Sequence, residues 1–254
     1  MKQFSTTYTY IFSLVLCLVC SILLSVAAVG LKDRQVANEQ LDKQKSVLMA
    51  CRMIKAGERV TPDKVREMFG SITPKVIDLL TDTYAEGVDP ETFKEKDSPL
   101  LPPMDNAAGL SEISQYAQIF QVKKEGKVDR VVLPISGRGL WGTLYGYLAV
   151  ASDGNTICGI TYYSHKETPG LGGEVDNPMW KSYWPDRKIY DADGNVAIRV
   201  IKGAAESPES DPYSVNGLSG ATITSRGVSN MLQFWLGEEG FGPYLKKLRE
   251  DGSV

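Results

Sequence analysis

Histidine is almost missing from this chain. His165 is the only one in 254 residues, which excludes a metal site built from several imidazoles. Cysteine is scarce as well, and a closed metal site wants about four converging ligands, so no metal set is expected. Of the four cysteines, Cys17 and Cys20 lie inside an apolar run, where thiols behave as small hydrophobes. Cys51 and Cys158 could pair in an oxidising compartment, but spacing alone does not place their Cα atoms within bonding reach. There is no basic block of five or more residues, and the net charge is −3, so nucleic acid is not an expected partner. Internal repeats and low-complexity tracts are absent too.

The remaining absence is local. No charged side chain occurs from Tyr8 to Leu31, and Ile11 to Leu24 is almost wholly apolar. A helix of ~20 apolar residues crosses a bilayer core. Tyr8 and Tyr10 would sit in one interfacial belt, with Lys32 and Arg34 closing the other end. Ser25-Val26-Ala27 offers small residues of the kind a signal peptidase accepts, yet the run exceeds the ~7–15 residues of a removable signal core. The segment therefore reads as a retained single-pass anchor in contact with membrane lipid. Lys2 on one side and Lys32 with Arg34 on the other leave its orientation undecided by charge.

Three segments follow from this reading: an N-terminal transmembrane anchor over 1–31, a helical stalk and insert over 32–109, and a folded domain over 110–254. Within the insert, Thr61-Pro62 and Thr73-Pro74 each place a capping hydroxyl before a proline suited to a first helical turn. The second of these helices would carry Val76, Ile77 and Leu80. From Tyr116 the pattern turns to strands: Ile119 to Val122, Val128 to Ile135, Thr143 to Ala151, and Thr156 to Tyr163. Asp153-Gly154-Asn155 reads as a hairpin turn. Asn177-Pro178 opens a short helix with Met179, Trp180 and Tyr183, and Val196 to Ile201 reads as a strand. The final third is helical, with Val228, Met231, Leu232, Trp235 and Leu236 on one face and a tail helix around Tyr244 to Leu248. The expected class is α+β, a mostly antiparallel sheet with flanking helices, preceded by the transmembrane helix.

Three glycine-containing stretches could carry chemistry. Gly137 to Gly142 matches G-x-G-x-x-G, but a strand rather than a helix follows it, so it fails the context of a dinucleotide fold. It reads either as a turn between strands or as a place where backbone approaches a planar ligand, with Trp141 beside it. His165 to Gly173 reads as a long surface turn. A His beside a Glu could exchange a proton, yet no third orienting group is evident nearby. Ser219-Gly220-Ala221-Thr222-Ile223-Thr224-Ser225 crowds four hydroxyls at the start of a helix, where unpaired N–H groups favour a phosphate. Simple N-capping explains one hydroxyl but not four.

Taken together, Ser219 to Thr224, Gly139 to Gly142 and Glu167 to Gly172 resemble the FMN-binding domain family and its flavinylation motif S-G-A-T-x-T. In length and order the whole chain resembles the C subunits of bacterial sodium-translocating NADH:quinone reductases. The G subunits of Rnf ferredoxin:NAD⁺ oxidoreductase complexes are the related alternative, and a flavin-free scaffold of the same fold is a third. The resemblance implies FMN bound covalently through a phosphoester to Thr224, with Ser219, Gly220, Ala221 and Thr222 around the phosphate. It further implies that Leu140, Trp141, Gly142, Thr168, Gly170, Leu171 and Gly172 line the flavin. Arg226 either balances the phosphate or is a solvated surface charge. The implied role is an electron relay in a six-subunit membrane complex of the bacterial inner membrane. A flavin transferase would act on the domain in the periplasm. One-electron transfer requires no general base, consistent with the lack of a catalytic constellation.

Overall fold

The computed structural model describes residues 5–55 and 57–251. In chain order the elements are α1 (Thr6–Ala50), α2 (Pro62–Phe69), β1 (Ile72–Asp78), β2 (Thr83–Tyr84), β3 (Tyr116–Lys124), β4 (Lys127–Arg138), β5 (Thr143–Ala151), β6 (Ile157–Ser164), α3 (Pro178–Lys181), β7 (Arg199–Val200), β8 (Ser214–Val215), α4 (Thr222–Trp235) and α5 (Gly242–Asp251). Two compact units result, one up to Asp42 and one from Lys43 onward. In the first, every described side chain up to Gln40 is exposed, Ile11, Leu14, Leu18 and Leu24 among them. By length and composition α1 is the one helix among the described residues able to cross a membrane, and so large an apolar surface marks contact with lipid or protein.

The second unit is built on a six-stranded antiparallel sheet in the order β2-β1-β3-β4-β5-β6. Alternation along its central strands sends Val131, Leu133 and Ile135 of β4 and Leu144, Leu148 and Val150 of β5 to one face. There they meet Val228, Met231, Leu232 and Trp235 of α4 in a single apolar core. Each such side chain contributes about 1.5–3 kcal/mol of burial. The α4 helix lies close on β4 because glycine stands at both crossing points. A Cβ on Gly137 would fall 2.6 Å from Met231 Cβ, and one on Gly227 would overlap the carbonyl oxygen of Arg138. The indole N–H of Trp235 bonds Ser136 O at 2.6 Å and pins the far end.

Two expectations are corrected. Thr73-Pro74 does not open a helix; both residues lie in β1, where Pro74 stands opposite Phe120 of β3. Proline is tolerated because β2 pairs only with Ile77 and Asp78, leaving that stretch of β1 with one open edge. Pairing along all seven residues of β1 outweighs the helical spacing of Val76, Ile77 and Leu80, and leaves Leu80 exposed. The strand expected over Val196 to Ile201 shrinks to the two residues of β7, parallel to β8. By contrast, Thr61 accepts from Lys64 N as the N-cap of α2 and Asn177 from Met179 N as that of α3. The latter helix ends at Lys181, before Tyr183.

Cys51 and Cys158 are both free thiols, and burial pushes the Cys51 thiol up to about 12. The β5–β6 turn is held by Asp153. Its carboxylate accepts the N–H groups of Asn155 (3.0 Å) and Thr156 (2.8 Å) and the Thr156 hydroxyl. Burial would raise this carboxyl, but those hydrogen bonds and Lys188 outweigh it and hold it below the ordinary range. A depressed carboxyl contributes stability above its unfolded pKa and loses it as pH falls through the folded one. Asp153→Ala is thus expected to cost about 1 kcal/mol at pH 7. The gap in Tm from the unaltered protein should close below about pH 4; a gap constant from pH 7 to 2.5 would contradict this.

Candidate functional site

The start of α4 has no side-chain cap, which leaves it able to accept an anion. Gly220 has φ +71°, Ala221 stands at the N-cap, and no side chain caps the helix. Ser225, the hydroxyl that could have turned back, instead accepts Leu218 N–H at 3.0 Å. The first-turn N–H groups are therefore without a side-chain cap, and the helix dipole adds partial positive charge there. Beside this terminus opens a cleft of about 810 Å³, lined among others by Ser219, Gly220, Thr222, Trp180, Tyr183, Lys202 and Arg226. Trp180 is fixed by its indole N–H bond to Asn216 O (2.8 Å) and by edge contact with Trp184.

Thr224 lies in the first turn of α4 and is fully buried. Its hydroxyl donates to Glu167 Oε2 at 2.5 Å, and Glu167 Oε1 accepts the backbone N–H of Trp141 at 2.9 Å. One buried carboxylate thus ties together the three glycine-containing stretches. Glycine is needed around it, since a Cβ on Gly139 would come within 2.6 Å of Glu167 Oε1 and one on Gly172 would overlap Oε2. Gly172 also covers the hydroxyl: its added Cβ would fall 2.6 Å from Thr224 Oγ1. The loop from Thr168 is closed by Leu171 N and Gly173 N, both bonding Thr168 O. It meets the α4 start where Leu171 Cδ2 comes within 2.9 Å of a Cβ placed on Gly220.

His165 has the orienting group that the linear sequence hides. Its Nδ1 accepts Glu167 N–H at 3.2 Å, so Nε2 carries the proton toward Asp176 Oδ2 at 2.9 Å. Lys181 pairs with the other Asp176 oxygen at 2.9 Å. The imidazole fixes the backbone that presents Glu167.

Of the residues expected around the cofactor, Ser219, Gly220 and Thr222 line the cleft, and Ala221 is the buried N-cap. Leu140, Trp141, Thr168, Gly170 and Leu171 are exposed, Gly142 is half-buried and Gly172 is buried. Leu140, Trp141 and Leu171, with Ile223, leave apolar side chains in solvent around the buried Thr224. Arg226 lines the cleft. Trp180, Tyr183 and Lys202 had no place among the residues expected at the site, and Glu167 entered only as a possible proton partner of His165 and as part of a glycine-containing stretch. The signal for Glu167 was its place at the head of the Glu167–Gly172 stretch; the cleft cations carry no local signature.

This fold and site define a flavin-mononucleotide-binding domain: residues 139–237 match the FMN-binding domain family. The C subunit of the Na⁺-translocating NADH-quinone reductase of Pseudomonas aeruginosa is 42% identical over 98% of both chains, and that of Vibrio alginolyticus 43% over 92% of both. The crystal structure of Shewanella oneidensis NqrC superposes with a TM-score of 0.72 at 36% identity, covering 81% of this chain and 95% of that one. The crystal structure of the corresponding reductase subunit from Parabacteroides distasonis gives 0.64 at 27% identity, covering 85% and 96%. The chain belongs to the family of C subunits of the Na⁺-translocating NADH-quinone reductase.

Proposed function

We propose that this chain is an electron-relay subunit of a Na⁺-translocating NADH:quinone reductase, carrying FMN as a phosphoester on Thr224. The observation that carries the reading is the convergence of three glycine-containing stretches on Thr224 and Glu167 at an uncapped helix start. The residues present suit FMN. First-turn N–H groups of α4 would meet the phosphate on Thr224, and the exposed apolar side chains of Leu140, Trp141 and Leu171 would offer the flavin a surface. When bound, the flavin supplies the one-electron chemistry. The protein holds it in place and sets its surroundings; an ester keeps it there through every turnover. The Pseudomonas and Vibrio relatives are C subunits, which favours this function over that of an Rnf G subunit.

The same reading makes the apolar part of α1 a single-pass anchor in the bacterial inner membrane and places the FMN-binding domain in the periplasm. There a flavin transferase attaches the cofactor. The other subunits of a six-subunit complex supply and remove its electrons. One membrane helix cannot enclose a pore, so the chain does not conduct Na⁺ by itself.

Intact-mass analysis of the full chain co-expressed with a flavin transferase tests the attachment. Thr224→Ala should lose the covalent flavin increment completely, and Thr222→Ala should keep it. A flavin increment retained on Thr224→Ala would overturn the assignment.

A further inference from the structure

We propose that Glu167 is the proton acceptor when the Thr224 ester forms, so that this chain supplies the catalytic base for its own modification. The inference rests on Thr224 being the attachment site and adds the group that activates it. A threonine hydroxyl is a weak nucleophile and needs a base within hydrogen-bond reach of its proton. Glu167 Oε2 accepts from Thr224 Oγ1 at 2.5 Å, with Thr224 fully buried and Glu167 only 5% exposed.

The carboxylate is held as a base needs to be held. Its second oxygen takes the Trp141 N–H, and its own backbone N–H is bonded to His165, which Asp176 orients. None of the described ion pairs includes Glu167. Gly139 and Gly172 leave the space the carboxylate occupies.

The step balances without redox change. FMN itself is a phosphate monoester with no good leaving group, so the co-reactant must be a flavin phosphoanhydride. Thr224 Oγ1 forms a bond to the flavin-bearing phosphorus, and the anhydride P–O bond breaks. The leaving phosphate departs with that electron pair, and the Oγ1 proton passes to Glu167. Because Gly172 covers Oγ1, the Thr168–Gly173 loop must move aside first while Glu167 keeps its contact. The resulting carboxylic acid then has a proton to donate to the diester.

The charged and titratable groups on the segments packed against Glu167 are Arg138, His165, Lys166, Glu174, Asp176 and Arg226. The test must therefore separate Glu167 from them. Initial rates of flavin attachment are measured on the full chain in detergent, with a flavin dinucleotide and the transferase, from pH 5 to 9. Glu167→Gln keeps the size of the side chain and can still accept from Trp141 N. It should lower the rate about 10²–10⁴-fold and abolish the fall in rate toward low pH, with Tm and near-ultraviolet circular dichroism unchanged. Glu167→Asp retains a carboxylate and should recover part of the rate and the acid limb, which covers the case in which the glutamine variant folds poorly. Wild-type rate or pH profile in Glu167→Gln, or no recovery of rate or limb in Glu167→Asp, would overturn the proposal. An endpoint assay on Thr224→Ala reports separately on the attachment site, since a slow base variant still reaches full modification and a variant without the acceptor does not.

Discussion

Gly227→Ala is expected to destabilise the folded unit by about 3 kcal/mol, a fall in Tm of roughly 6–12 °C for a domain near 200 residues. In the interior of an exposed helix the same change would stabilise by about 1 kcal/mol. The sign reverses here because the new methyl group would overlap the backbone oxygen of Arg138, which cannot rotate away as a side chain can. Either α4 lifts from β4 or β4 bends, and both disturb packing around Met231 and Trp235. The first turn of α4 carries Thr224, so flavin attachment should fall together with stability. Asn230→Ala, on the exposed face of the same helix, is the control and should leave Tm unchanged or slightly higher. A Gly227→Ala protein melting at or above the wild-type temperature would show that α4 does not dock on β4 as described.

Arg187→Met should cost about 3–5 kcal/mol. Arg187 is 3% exposed, and its guanidinium forks to three carbonyl oxygens, those of Tyr183 (3.2 Å), Glu206 (2.7 Å) and Asp211 (2.5 Å). Hydrogen bonds from a charged donor are the stronger class, and methionine replaces none of them. Tyr183 lines the cleft, and Asp211 leads into β8, so the damage should be concentrated there. Urea unfolding gives the overall loss, and hydrogen exchange should show early opening of Tyr213 to Val215. Arg187→Lys should rescue little, since one ammonium cannot reproduce a planar fork. A stability change within about 0.5 kcal/mol, the range of an ordinary surface substitution, would contradict this role for Arg187.

Elements whose cause is local could be read along the chain. The caps at Thr61 and Asn177, the β5–β6 turn at Asp153 to Asn155 and the apolar face of α4 each depend on residues within a few turns of each other. The strands β3 to β6 were legible because hairpin neighbours share their period and their turns. β1 was misread for the opposite reason. Its partner β3 begins 38 residues after Asp78, and no local pattern reports a distant edge that stands ready to pair.

The site divides in the same way. That Ser219 to Thr224 opens a helix and carries the motif of an FMN-binding domain was contained in consecutive residues, whereas its association with two other glycine-containing stretches came from the family resemblance. The apolar run of α1 was equally plain, because crossing a bilayer depends on length and composition alone. Only the tertiary structure decided that Thr224 is buried, that Gly172 covers it, and that its hydroxyl bonds a carboxylate 57 residues earlier in the chain. The cleft with Lys202, Trp180 and Arg226 likewise exists only after β7, α3 and α4 have packed. Local propensities and motifs are properties of neighbours in sequence. The reach of a carboxylate to a hydroxyl depends on where two separate segments stop, and that is set by the packing between them.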